Sequence, residues 1–301
     1  PEIYEAHGTY QAQAINFKQS TKAKLAIHWE ALGVSLVIFN ETFGGDVLYD
    51  DVELWLRCYA NRTFIQLFDK SGGLPETSNP LSPMYTEAEL YVKTPYARSE
   101  TIKLGINGTG FLDLKGFSVS GKLEDAVLPL KDGTTKVTYH LKVYYKGVLV
   151  YDSDLDPFSS TFKKTWASNS TGADLAAIAK IQVELYPVTV YLYDAHNRRL
   201  NGTAYMVLKH LDTGTTLNVT VVDGLFDDVL PGGTYEVHVL YKSTTTLTPL
   251  EANTFKVESA GTTITFKLPV YDVYLKATNW EGTWYVEGIN FSIKWPEPWG
   301  V

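Results

Sequence analysis

Residues 190–242 constrain the fold more tightly than any other part of the chain. Val190-Tyr191-Leu192-Tyr193 alternates its side chains and stops at Asp194, and a polar turn leads to Leu200-Asn201-Gly202. Ala204-Tyr205-Met206-Val207-Leu208 follows, and Asp212-Thr213-Gly214 turns the chain. Asp223-Gly224 predicts a second tight turn, because glycine takes positive φ without a Cβ clash, and Pro231-Gly232-Gly233 predicts a third. Beyond it, Tyr235, Val237, Val239 and Tyr241 share one face of a strand, with Glu236 and His238 on the other. Short alternating strands cut by turns at this spacing predict an all-β antiparallel sandwich.

The same landmarks recur earlier in the chain. Phe64-Ile65-Gln66-Leu67-Phe68-Asp69, with Leu74 after a Gly-rich turn, matches the strand, Asp, turn and Leu of residues 190–200. Leu123-Glu124-Asp125-Ala126-Val127-Leu128-Pro129 matches residues 225–231, and residues 141–146 match 237–242. Val183-Glu184-Leu185-Tyr186-Pro187 lines up with Thr265-Phe266-Lys267-Leu268-Pro269. Four landmarks in one order define an internal repeat whose period varies through loop insertions.

The expected organisation follows: an N-terminal arm and half-module over 1–61, a sandwich with long loops over 62–187, a second sandwich over 188–269, and a C-terminal half-module over 270–301. Residues 26–38 resemble the strand pair at 142–151, the back of a module. Residues 272–277 and 288–293 resemble the front. Residues 1–20 read as an extended arm, and 24–30, 33–40 and 52–59 as strands. The segment after Pro75, with Pro80, Pro83 and Pro95, reads as loop-rich. Residues 172–180 hold the chain's one run of strong helix formers and predict at most a short helix.

The motif of residues 190–241 resembles the carboxypeptidase-regulatory-like and collagen-adhesin B-type modules. The tandem series, with its Tyr-Lys strand ends at 145–146 and 241–242 and its Leu230-Pro231-Gly232-Gly233-Thr234-Tyr235 strand entry, resembles the repeated modules of surface-layer and related surface proteins of thermophilic archaea. That resemblance implies tandem Ig-like or transthyretin-like β-sandwiches with a structural role in coats or filaments, and it brings no catalytic residues. B-type modules can form a Lys–Asn isopeptide bond, but residues 188–194 hold no Lys, which puts such a bond in doubt.

Asn40, Asn61, Asn107, Asn169, Asn201, Asn218 and Asn290 each head an Asn-x-Ser/Thr triplet, seven of the 12 Asn residues. Composition alone would give about two, so the excess predicts a secreted glycoprotein. Cys58 is the single cysteine, which rules out an intrachain disulfide. Many sequons without a disulfide fit the archaeal cell surface. No signal peptide opens the chain; either it is removed or the sequence begins after it. No apolar run reaches membrane-spanning length. The net charge of -8 argues against nucleic acid and anionic membranes as partners.

Catalytic signatures are missing: no Gly-x-Ser-x-Gly, phosphate loop or dinucleotide fingerprint occurs. Asp152, Asp154 and Asp156 alternate as in a calcium loop, but Pro157 stands where the loop needs Gly and Lys163 where it needs Glu. A solvated turn at a strand end is the competing reading. Asp46, Asp50 and Asp51 are a second candidate acidic turn, with the same competing reading. His28 and Glu30 share a strand face without further ligands, and Cys58 alternates with Leu54 and Leu56 as a small buried hydrophobe. Trp280, Trp284, Trp295 and Trp299 crowd the C-terminus and suit either assembly anchors or a platform for surface glycans. Within the C-terminal half-module, Tyr274, Phe291, Ile293 and Trp295 are the expected assembly residues.

These residues suit three functions. The first is a glycosylated extracellular filament subunit that polymerises with identical subunits by sharing strands, without a cofactor. The second is a surface-layer or carbohydrate-binding adhesin module, and the third an accessory region of a secreted hydrolase.

Overall fold

The computed structural model describes residues 23–31, 34–43, 60–93, 101–117, 126–156, 159, 161–166, 175–242, 246–272, 278 and 281–282. No α-helix occurs among them. A hairpin comes first, β1 (Ala23–Ala31) and β2 (Val34–Phe43). The first sandwich holds β3 (Ala60–Phe68), β4 (Thr86–Lys93), β5 (Thr101–Leu104) and β6 (Val127–Pro129). It continues with the small ribbon β7 (Lys131–Asp132) and β8 (Thr135–Lys136), then β9 (Thr138–Tyr145), β10 (Val148–Leu155), β11 (Phe162–Trp166) and β12 (Leu175–Gln182). The second holds β13 (Leu185–Tyr193), β14 (Thr203–His210), β15 (Thr216–Val222), β16 (Leu225–Pro231), β17 (Gly233–Tyr241), β18 (Thr246–Leu247), β19 (Thr254–Val257) and β20 (Thr262–Lys267).

The period of two sets the layers. Along β17, Tyr235, Val237 and Val239 are each 0% exposed, whereas Glu236 and His238 are half-buried on the other face. Each such apolar side chain gains roughly 1.5–3 kcal/mol by leaving water. In the first sandwich the sheets β10-β9-β4-β5 and β11-β12-β3-β6 face one another across a core that includes Ile65, Leu90, Leu141 and Ala179. In the second, β18-β17-β14-β15 continues into β16-β13-β20 through the tight Asp223-Gly224 hairpin, around a core of Val190, Met206, Val221 and Val237. Val148 of the first unit packs in the second core, and Val229 of the second packs on the first. The expected landmarks 24–30 and 33–40 are β1 and β2; the expected strand 52–59 lies outside the described residues.

Pairing shows that the central strands of the two sandwiches repeat one another. β6 runs antiparallel to β3 with Ala60 opposite Pro129, and β16 runs antiparallel to β13 with Leu185 opposite Pro231. β12 lies parallel to β3, and β20 parallel to β13. β4 pairs β5 and β9 as β14 pairs β15 and β17. The Tyr139 hydroxyl donates to the Pro129 carbonyl at 2.7 Å, and the Tyr235 hydroxyl donates to the Pro231 carbonyl at 2.8 Å.

Several sequence expectations need correction. Residues 175–182 form β12, a strand, because Ala177, Ala179 and Ile181 alternate into the core and both edges are paired, by β11 and β3. Tertiary pairing outweighs the helix preference of alanine. The stretch after Pro75 is less loop-rich than its prolines imply, since it contains β4 and β5. The counterpart of Leu200 is Leu81 rather than Leu74: Leu200 N–H donates to Leu192 O and Leu81 N–H to Leu67 O, while Leu74 is 63% exposed. Residues 183–187 align three positions further on than their motif suggests, because Val183 N–H donates to Phe68 O as Leu268 N–H does to Tyr193 O. Finally, β16 is continuous, but its counterpart is split. Gly110 to Leu112 and Val127–Pro129 both bond β3, with residues 113–125 inserted between them.

Candidate functional site

Three of the seven sequons have described side chains, and all three are exposed: Asn107, Asn201 and Asn218. Asn107 closes an Asx turn, its Oδ1 accepting from Thr109 N–H at 3.0 Å, Thr109 Oγ1 at 2.9 Å and Phe111 N–H at 2.9 Å. The hydroxyl of the sequon's own Thr thus already touches the Asn amide group. Asn201 sits in a fixed corner, where its carbonyl accepts from the Tyr241 hydroxyl and Gly202 N–H donates to Asp223 Oδ1. Asn218 and Thr220 both face solvent along β15, two residues apart on one face. Asn40 and Asn61 stand in β2 and β3 with side chains outside the described set, and Asn169 and Asn290 lie outside the described residues.

The expected calcium loop is strand structure: Asp152 and Asp154 belong to β10. Their carboxylates meet cations instead of converging on one point. His140 Nε2 is 2.6 Å from Asp152, and its Nδ1 is 2.6 Å from Asp154, an arrangement in which both ring nitrogens donate only when the ring is protonated. Lys93 bonds Asp154 at 2.7 Å, Lys142 lies 4.0 Å from Asp152, and Lys136 lies 3.8 Å from Asp156. Hydrogen bonds from Lys93 and then His140 hold the Asp154 carboxyl below its ordinary range. Among the described residues no cluster of His, Cys, Asp or Glu suits a metal ion. No helix among them is long and apolar enough to cross a membrane.

A cleft between the sandwiches is lined by Tyr85 and Lys146 from the first and by Asn218, Asp223 and Asp228 from the second. The Lys146 ammonium stands 4.4 Å from the Tyr85 ring centroid, so that aromatic face already carries a cation.

The expected assembly residues Tyr274, Phe291, Ile293 and Trp295 lie outside the described residues, as do Cys58, the acidic turn at Asp46, Asp50 and Asp51, and the tryptophans 280, 284, 295 and 299. The structure instead draws attention to the exit from the second sandwich, which sequence reasoning missed. The buried Asp194 carboxylate accepts from His196 and Arg198 N–H through Oδ1, and from the Arg198 guanidinium through Oδ2 at 2.6 Å. Arg198 reaches on to Asp272 at 2.6 Å. Ala195 N–H donates to Val270 O at 3.1 Å, and the His196 ring meets Tyr271 edge-on. Burial pushes the Asp194 carboxyl up, but its bonds from Arg198 and His196 outweigh that, leaving it below the usual range.

No family model matches the chain, and no curated protein matches it. Among solved structures it is similar to a variant of the shaft pilin SpaA from Lactobacillus rhamnosus GG, at 10% identity and TM-score 0.33, over 72% of this chain and 100% of that one. It is similar to the minor pilin of Streptococcus agalactiae at 13% identity and TM-score 0.30, over 71% of this chain and 99% of that one. A streptococcal ancillary pilin gives 15% identity and TM-score 0.26, over 82% and 76% of the two chains. Identity and superposition are low throughout, so the functional reading stands on this chain's own residues.

Proposed function

We propose that the chain is a structural subunit of a glycosylated extracellular filament, pilus-like or thread-like, that grows head to tail as neighbouring copies share strands. The observation that supports it best is the β1–β2 hairpin, which pairs with no third strand among the described residues. Val37 ties it to the β7–β8 ribbon, accepting from Gly133 N–H and donating to Asp132 Oδ1. A lone two-stranded hairpin is marginal in water, and unpaired edges recruit strands. The outer edge of β20 adds to this: among the described residues no strand pairs with it, although Leu250 N–H caps Lys267 O at its end, whereas its counterpart β12 is covered by β11. Such a contact is heterologous, leaves the same two surfaces free at the ends, and so propagates. Glycans on Asn107, Asn201 and Asn218 would hydrate the lateral surface while leaving the ends to pair.

Removing residues 1–43 or 271–301 tests this: assembly should stop while residues 62–269 stay folded, and truncated chains that still polymerise would refute it. The alternative is a surface-layer or glycan-binding adhesin module. Electron micrographs of native protein separate the two, as threads against sheets or single particles.

A further inference from the structure

The exit from the second sandwich reproduces the main-chain bonds of the exit from the first. At the first exit, Leu185 N–H donates to Val183 O at 2.8 Å and Lys70 N–H donates to Leu185 O at 2.7 Å. At the second, Val270 N–H donates to Leu268 O at 2.8 Å and Ala195 N–H donates to Val270 O at 3.1 Å. A tyrosine follows in both cases, Tyr186 and Tyr271, and a cation from the turn below binds beside it. Lys70 donates to the Tyr186 hydroxyl at 3.1 Å, and Arg198 holds Asp272.

What differs is what lies on top. Leu185 is 1% exposed because β13 goes on to pair with β16, and the Tyr186 ring packs against Gly232 of the second sandwich, whose N–H donates to Glu184 O. Tyr271 is 59% exposed, and Val270 is only partly buried. Among the described residues, nothing lies over the second exit as β13, β16 and Gly232 lie over the first.

We infer that Val270, Tyr271 and the 195–198 turn seat a third sandwich, completed by the β1–β2 hairpin of a second copy of the chain; this rests on the filament reading. The occupant follows from shape. β1 and β2 close through a two-residue connection with Ala31 opposite Val34, as β9 and β10 close with Tyr145 opposite Val148, and each hairpin carries one register shift. β9–β10 is a sheet edge hairpin whose Tyr145 and Val148 pack in the two sandwich cores. β1–β2 has that form but pairs with no third strand among the described residues. The joint between two copies therefore repeats the joint inside one copy.

Tyrosine nitration with tetranitromethane, read by peptide mass on dispersed subunits and on filaments, tests the seat. Tyr271 should react in subunits and become protected on assembly. Tyr271→Ala should keep the subunit folded, since the ring is exposed, and raise the critical concentration by about tenfold or more, the scale of a lost interface aromatic. Tyr271→Phe should assemble as the parent does. Filaments in which Tyr271 nitrates as fast as in subunits, or Tyr271→Ala chains that assemble at the parent's critical concentration, overturn the seat and leave the filament reading standing. Parent chains that never assemble overturn both.

Discussion

Gly110 and Gly224 occupy one position in the two sandwiches, at φ +83 and +67, with a carbonyl pressed where a side chain would begin. A Cβ on Gly110 would lie 2.6 Å from Leu67 O, and one on Gly224 would lie 2.7 Å from Leu192 O. Gly224→Ala and Gly110→Ala should therefore each cost about 1–3 kcal/mol from backbone strain, before any clash. Urea denaturation of the two variants checks this. The buried phenols give a pH signature. Burial pushes both Tyr139 and Tyr235 above the ordinary tyrosine range. Their contribution to stability is complete below the unfolded value of about 10 and is lost as pH rises through the folded values. Stability should fall above about pH 10, and Tyr139→Phe or Tyr235→Phe should soften that fall while costing about 1 kcal/mol at neutral pH. Urea titrations on either side of that pH decide it. At the acid end, the Asp194 carboxyl lies below its ordinary value. Its contribution is present above about pH 4 and is lost as pH drops through the folded value, so Asp194→Asn should flatten the acid limb of the stability curve.

Among elements, β12 shows where sequence reading stops. Leu175 to Gln182 is rich in alanine, and no local pattern reveals that small side chains are wanted between β11 and β3. Ile181 is 5% exposed and Lys180 points outward. Ile181→Ala should cost about 2–5 kcal/mol, as a buried truncation does, whereas Lys180→Ala should stay within about 0.5 kcal/mol. Thermal melts of both variants test the alternation; a helix would not place the two side chains on opposite faces. Strands with one buried face, such as β13, β14 and β17, were legible because alternation and Gly turns are local signals. The swap of Leu74 for Leu81 and the insertion at 113–125 were not, because long-range hydrogen bonds decide them. The same division holds for the candidate sites. Sequons are visible as triplets, but the Tyr271 seat depends on Ala195 meeting Val270, residues far apart in the chain.

At the scale of the whole molecule, intact mass and response to tension are the properties to measure. Native protein should carry glycans on Asn107, Asn201 and Asn218; intact mass equal to that of the bare polypeptide would refute this. A further property comes from the parallel pairing of the first and last strands in each sandwich, β3 with β12 and β13 with β20. The chain enters a sandwich at the start of one and leaves at the end of the other. Tension along the chain therefore drags the two strands past each other lengthwise, and the rungs from Val188↔Thr262 to Tyr193↔Lys267 are loaded together instead of one after another. A zipper opens at the force of one rung; a shear clamp yields only when the whole set gives way. A chain built this way would bear tension along its length with no covalent cross-link between the strands.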